Sequence, residues 1–196
     1  MKKLITGLLI LILFSCEKLV IESSDQVFVI EKGKHQGFPV ILESKGYSLV
    51  RDWVLTEDHI YEHNNDNQWD WNKLNGLVYE KFSNAHEYSC RIGWRWNTRE
   101  GMFELSPYIY ENGERIMHNN KGWFVEANEP FRVAIYDRGS YWRMIVENED
   151  WTIRYTHEEP KESRCDGKYK ELIVYFGGDE VTPHRMTFES RLITMH

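Results

Sequence analysis

Arg91-Ile92-Gly93-Trp94-Arg95-Trp96, then Asn97-Thr98-Arg99-Glu100-Gly101, then Met102-Phe103-Glu104-Leu105-Ser106-Pro107-Tyr108-Ile109-Tyr110 is the stretch that decides how this chain is read. Apolar and polar side chains alternate on both sides of a polar segment ending in glycine, the pattern of a β-hairpin with one dry face. If Asn97 pairs with Met102, Trp96 lies opposite Phe103 and Trp94 opposite Leu105 on one face. On the other face Arg95 meets Glu104 and Arg91 meets Tyr108. A slip of one residue would exchange the two faces, so the pattern specifies its own register.

The same period of two continues outward from Gln26. Val27 to Ile30, Tyr47 to Val50 with Trp53-Val54-Leu55, Gly122 to Val125, Phe131 to Tyr136 and Tyr141 to Val146 read as strands. Trp151 to Tyr155, Leu172 to Phe176 and Met186 to Glu189 complete the set. Asn112-Gly113 offers the positive φ values of a tight reversal, and Asp137-Arg138-Gly139-Ser140 is a second turn. Roughly ten short strands at near-regular spacing predict an all-β chain, an antiparallel β-sandwich of two packed sheets. Two stretches depart from this. Trp71, Leu74, Val78 and Phe82 have helical spacing interrupted by Gly76, which reads as a short helix or a packed loop. His157 to Lys168 is polar, contains Pro160 and Gly167, and reads as an exposed loop.

Composition agrees. In 196 residues, 28% are charged and 41% hydrophobic, which excludes a multi-span membrane protein and argues against wholesale disorder. Aromatics reach 14%, an excess of flat side chains that favours sheet. The formal charge is −7 with no basic stripe, so no nucleic-acid partner is expected.

The first residues read as an address. Met1-Lys2-Lys3 precedes an apolar run from Leu4 to Phe14, 11 residues long. As a helix it would cross about half of a ~30 Å hydrocarbon layer. This is the layout of a secretory signal peptide. Leu13-Phe14-Ser15-Cys16 resembles the lipobox of bacterial lipoproteins, although Phe14 is bulkier than usual at its position. The resemblance implies diacylglyceryl modification of Cys16, removal of residues 1–15, acylation of the new amino terminus (palmitate being the usual chain) and residence at the cell envelope as an exported, membrane-anchored protein. It does not separate inner from outer membrane. Acyl chains supply roughly 0.8 kcal/mol per buried methylene, so two or more anchor stably. An ordinary cleaved signal and an uncleaved anchor are the alternatives. The expected organisation is a signal peptide at 1–15, a lipidated tether at 16–26 and one β-sandwich domain at 27–196.

With Cys16 assigned to lipid, Cys90 and Cys165 remain. In an exported protein they could form a disulfide, contributing roughly 4 kcal/mol by loop-closure entropy, or stay as buried thiols.

A second resemblance concerns the body. The strand order, the hairpin from Tyr108 to Arg115 and the closing Tyr175-Phe176-Gly177-Gly178-Asp179-Glu180-Val181-Thr182-Pro183-His184 look like the concanavalin-A-like (laminin-G-like) jelly rolls of bacterial surface proteins. The similarity would cover residues 27–196.

Few residues announce chemistry. His59-Ile60-Tyr61-Glu62-His63 matches the H-x-x-E-H spacing of inverted zinc peptidases but runs at once into Asn64-Asn65-Asp66-Asn67. An exposed polar loop is the simpler reading. Asp66 and Asp70 lie in a run of hard oxygen ligands that could hold Ca²⁺, without the spacing or glycine of an EF-hand loop. No other cofactor is expected. The Glu-x-Asp-x-x-Glu string of jelly-roll glucanases is absent, the characteristic strands of alginate-lyase-like jelly rolls cannot be placed, and Glu147-Asn148-Glu149-Asp150 reads as a solvated turn. No nucleophile elbow, P-loop or dinucleotide fingerprint occurs.

What remains is the polar face of the hairpin. Arg91, Arg95, Glu104, Tyr108 and Tyr110, with Trp142 on an equivalent face of another strand, form a candidate ligand-binding patch. Aromatic rings stack on sugar C–H faces while Arg and Glu bond hydroxyls, and the same residue types anchor protein partners. Against this, Arg95 and Glu104 could be a plain cross-strand ion pair, and tryptophans in a sandwich mostly belong to the core. The expectation is a lipid-anchored, non-catalytic glycan-binding sandwich. The alternatives are a polysaccharide-degrading hydrolase or lyase with an unfamiliar site, and a structural or assembly lipoprotein that binds protein.

Overall fold

The computed structural model describes residues 21–37, 41–43, 47–79, 84–116, 122–148, 150, 152–162 and 168–195. Cys16 with its lipobox, Cys165, Phe82 and Trp151 lie outside the described residues.

Thirteen strands form among the described residues: β1 (Ile21–Ile30), β2 (Ile41–Glu43), β3 (Ser48–Val54), β4 (Asn72–Tyr79), β5 (Ser89–Asn97), β6 (Met102–Glu111), β7 (Glu114–Ile116), β8 (Trp123–Val125), β9 (Pro130–Asp137), β10 (Tyr141–Asn148), β11 (Ile153–Pro160), β12 (Tyr169–Leu172) and β13 (Met186–Met195). The first sheet runs β1-β13-β3-β9-β10-β11 and the second β2-β12-β4-β5-β6-β7, with β8 also on β6. All these pairs are antiparallel, so the molecule is a β-sandwich.

The hairpin forms in the register its alternation dictates. Asn97 pairs with Met102, Trp96 with Phe103, Trp94 with Leu105, Arg95 with Glu104 and Arg91 with Tyr108. Asn97 closes the turn, its side-chain oxygen accepting from the backbone N–H groups of Arg99 and Glu100. Between β6 and β7, Asn112 and Gly113 both have positive φ, 53° and 82°, as a two-residue reversal matched to strand twist requires.

Three expectations are corrected. Residues 72–79 form a strand, not a helix. Leu74 is the extra residue of a bulge between Lys73 and Asn75 and joins the core, whereas Trp71 and Val78 lie on the outer face, so the helical spacing links side chains of opposite faces. Residues 157–160, expected in a loop, continue the strand that begins at Ile153 on the edge of the first sheet. It is polar because one face meets solvent, and its sequence therefore resembles a loop. The first strand begins at Ile21, inside the stretch assigned to the tether.

Between the sheets lies one aromatic-rich core. Trp94 packs edge-on against Phe103, Phe176 and Phe188, while Trp142 stacks on Tyr79 with 5.7 Å between centroids. Two ion pairs sit in this interior. Arg51 of β3 bonds Glu171 of β12 through two nitrogens and also reaches Ser190 and Gln26, tying the sheets together. Lys161 lies 2.5 Å from Asp137, which also accepts from the Tyr169 hydroxyl. Burying a charge is tolerated when its partners satisfy it, and both pairs meet that condition. Cys90 is a fully buried free thiol, and burial raises its pKa.

Candidate functional site

The face of the second sheet that points away from the core is not a simple wet surface. Ser89 and Arg91 of β5, Ser106 and Tyr108 of β6 and Val78 of β4 point outward, yet all are buried. The segment at Trp69-Asp70-Trp71 covers one end, and Trp71 lies against Gly93, where a β-carbon would come within 3.2 Å of its ring. A cavity of about 210 Å³ opens there, lined by Trp69, Asp70, Trp71, Arg95, Glu104, Ser106, Pro107, Tyr108, Arg115 and Ile116.

Cross-strand pairing decides which side chains meet. One row reads Tyr175, Lys73, Gly93 and Ser106, from the bridge of Tyr175 to Lys73 and the β4-β5-β6 registers. The next reads Leu172, Gly76, Arg91 and Tyr108. A third places Ser89 beside Tyr110, and Tyr110 beside Arg115 of β7. Three cations thus converge on one phenol ring. The Lys73 Nζ lies 4.7 Å, the Arg91 Cζ 4.9 Å and the Arg115 Cζ 5.5 Å from the Tyr108 centroid. Arg115 also donates to the Tyr108 hydroxyl at 3.4 Å.

These neighbours set the protonation chemistry. Burial alone would raise the Tyr108 pKa, but the charge of Lys73, the Arg115 hydrogen bond, Tyr110 and Arg91 outweigh it and hold the phenol below its ordinary value. Burial lowers the Lys73 ammonium, with the charges of Arg91 and Arg115 adding to the effect and Tyr108 opposing it. The Arg91 guanidinium is lowered by burial as well, against the opposing influence of Tyr108 and Tyr110.

Of the six residues expected in the patch, Arg91, Tyr108 and Tyr110 do come together here. Arg95 and Glu104 lie on the same face but hold each other, with Nε to Oε2 at 2.8 Å. Arg95 is further engaged by the Trp69 carbonyl at 2.7 Å and the Trp71 ring at 4.1 Å. Trp142 is corrected: it is 1% exposed and belongs to the core, because it shares parity with Met144 and Val146 on β10. Sequence reasoning missed Lys73, Arg115, Trp71 and Tyr175. Lys73 was hidden by the bulge, and Tyr175 by its place in an isolated bridge between Gln36 and Lys73.

The helical reading of His59-Ile60-Tyr61-Glu62-His63 is corrected too. Glu57–His59 is a single 3-10 turn and residues 60–63 are not helical, so His59 and His63 do not share a helix face. His59 is buried, its Nδ1 accepts from the Thr56 N–H at 2.9 Å, and burial lowers its pKa to about 4. Among the described residues no three His, Cys, Asp or Glu side chains gather into a group that could hold a metal ion.

No protein-family model matches the chain, and no curated protein sequence matches it. Solved structures do. The fold is similar to that of the alginate lyase Aly36B solved with an alginate trisaccharide, with a TM-score of 0.56 at 13% identity over 87% of this chain and 81% of that one. It is also similar to a functionally unknown protein from Saccharomyces cerevisiae, with a TM-score of 0.51 at 11% identity over 88% and 87% of the two chains. At such identities the likeness is one of fold: a jelly-roll sandwich, as the sequence predicted.

Proposed function

We propose that the protein binds a glycan on the outer face of its second sheet, at the cell envelope, held to the membrane through lipid on Cys16. The observation that carries the glycan reading is the cavity of about 210 Å³, where the half-buried Trp71 ring lies beside the exposed donor Arg115. Rings that stack on a sugar and donors that reach its hydroxyls are what glycan recognition needs. The likeness to a lyase solved with an alginate trisaccharide supports the reading at the level of the fold. The lipid anchor rests on Leu13-Phe14-Ser15-Cys16. Acylated Cys16 in the mass spectrum of the membrane fraction, and release of the protein by Cys16→Ser, would test it.

For the glycan, the test is a glycan array followed by titration calorimetry on the mature chain. Trp71→Ala with Arg115→Ala should weaken any hit at least about tenfold in a protein that urea denaturation shows still to be folded. A double variant that binds as well as the parent would remove this face from consideration.

Cleavage is a second reading, favoured by one observation: the Tyr108 phenol, held below its ordinary pKa by neighbouring cations, suits proton transfer. Hydrolysis by two carboxylates is poorly served, because Glu104 is already engaged by Arg95 and Asn97. New reducing ends, or ultraviolet absorbance from unsaturated ends, would establish cleavage. Binding without either product would establish a binding module.

A further inference from the structure

We propose that the ligand of this face is an acidic glycan, and that one of its anionic groups seats against Arg91 and Lys73 beside Tyr108. The inference rests on the glycan reading and specifies the class of sugar.

Arg91 is 6% exposed and Lys73 7% exposed. Among the described residues no carboxylate lies within ion-pair distance of Lys73, Arg91 or Arg115. The Nε and Nη2 of Arg91 are buried without a hydrogen-bond partner. Among the described residues the other buried lysine and arginines each have a carboxylate: Arg51 has Glu171, Lys161 has Asp137 and Arg132 has Asp52. Nor are acids scarce, since the chain carries 31 against 24 Lys and Arg. The lack of a carboxylate partner belongs to this place.

Tyr108, Tyr110 and Tyr175 give the cations ring faces, with Arg91 4.9 Å from Tyr108 and 5.6 Å from Tyr110, and Lys73 5.2 Å from Tyr175. Such contacts return roughly 2 kcal/mol or somewhat more when desolvated, whereas desolvating an ion costs several, and they offer no acceptor for the guanidinium N–H groups. A carboxylate or sulfate would supply the missing charge-assisted hydrogen bonds, and guanidinium geometry suits both. Tyr108 lines the adjoining cavity, and the Lys73 and Arg91 cations lie against its ring, so the seat is reached from that cavity past Tyr108.

The backbone makes room for these two cations. A β-carbon on Gly76 would fall 2.3 Å from the Arg91 Cγ, and one on Gly177 would fall 2.3 Å from the Lys73 Nζ. Side chains at either position would push the charges off the face.

The test is calorimetric titration of the mature chain with alginate oligomers, sulfated dextran oligomers and neutral xylo-oligomers of matched length, at low and moderate salt. The acidic probes should bind at least about tenfold tighter than the neutral one, with affinity falling as salt rises. The carboxylated and sulfated arms tell which acid is preferred, and a clear preference for either supports the proposal. Arg91→Met should cost the acidic probe at least about tenfold and leave the neutral one unchanged. Should that variant fail to fold, Lys73→Met carries the same comparison from the other cation of the seat. Neutral and acidic oligomers binding equally, with Arg91→Met indifferent, would overturn the acidic assignment while leaving glycan binding intact. Failure of all three probes in a protein whose array shows neutral hits would also overturn it, and an array without hits would remove the glycan reading itself.

Discussion

The outer faces of the two sheets handle charge in opposite ways. Across the first sheet one row alternates in sign through five strands: Asp25 faces Arg191, Arg191 faces Asp52, Asp52 faces Arg132 and Arg132 faces Glu147. Its arginines are engaged, Arg132 by both oxygens of Asp52 at 2.5 and 2.9 Å and Arg191 by Asp25 at 2.8 Å. Across the second sheet Lys73, Arg91 and Arg115 meet around Tyr108 with no acid opposite them. The depression on the first sheet is the larger, about 450 Å³ against about 210 Å³, yet its charges already satisfy one another. Size is therefore a poor guide to the site here. Unsatisfied chemistry is the better one, because a folded chain retains such a cost mainly where something else offsets it.

The largest expected effect tests what both faces share, the core. His59 is held neutral by burial with a pKa of about 4, against about 6.5 when exposed. The unfolded chain then takes up a proton that the folded chain refuses. Stability is complete above about pH 6.5 and declines as pH falls towards 4, by up to roughly 3 kcal/mol. Urea unfolding at stepped pH measures this. A profile flat from pH 7 to 5 would mean His59 is solvated, and the shared core less tight than described.

A smaller effect separates the faces directly. Arg132→Met leaves Asp52 without its two hydrogen bonds and should cost about 1.5–3 kcal/mol. Arg91→Met removes a guanidinium whose buried nitrogens had no partner and keeps the apolar stem over Gly76, so the change should stay within about 0.5 kcal/mol or be stabilising. The urea midpoints, at constant m-value, decide it. Equal losses would make Arg91 a structural residue and erase the distinction between the faces.

How much of this was legible in the chain depended on parity. The hairpin register, and with it the Arg95–Glu104 pair and the meeting of Arg91 with Tyr108, followed from alternation alone, because one slip spoils every pair at once. Trp142 was legible too: its parity with Met144 and Val146 placed it inside, and grouping it with the outward face set chemical preference above period. Lys73 was not legible. The bulge beside it breaks the period of two, and without that strand no cluster could be drawn around Tyr108. The cover over the second sheet was equally hidden. Trp69 and Trp71 reach it from a segment with no period of its own, and the rule of a dry inside and a wet outside fails where loops fold over a sheet.

The smallest effect sharpens the comparison by titration. On the second face two groups lose positive balance as pH rises: Lys73, whose ammonium is lowered by burial and by the charges of Arg91 and Arg115, and Tyr108, whose phenol is lowered chiefly by Lys73, the Arg115 hydrogen bond and Arg91 against the effect of burial. Tyr110 is raised by burial and by Tyr108, so it stays neutral longer, and Arg115 is raised by its bond to Tyr108 and keeps its charge. Deprotonating either Lys73 or Tyr108 removes one unit of positive charge from the seat. Affinity for an acidic probe should therefore fall a few-fold as pH rises through the range below the ordinary lysine and tyrosine values, while affinity for a neutral probe stays level. Tyr108→Phe should leave only the Lys73 part of the decline. Calorimetry at pH 7, 8 and 9 reads both. A decline shared by acidic and neutral probes would point to loosening of the fold and not to loss of charge at Tyr108. The cations of the second face would then have to be explained, like those of the first, by structure alone.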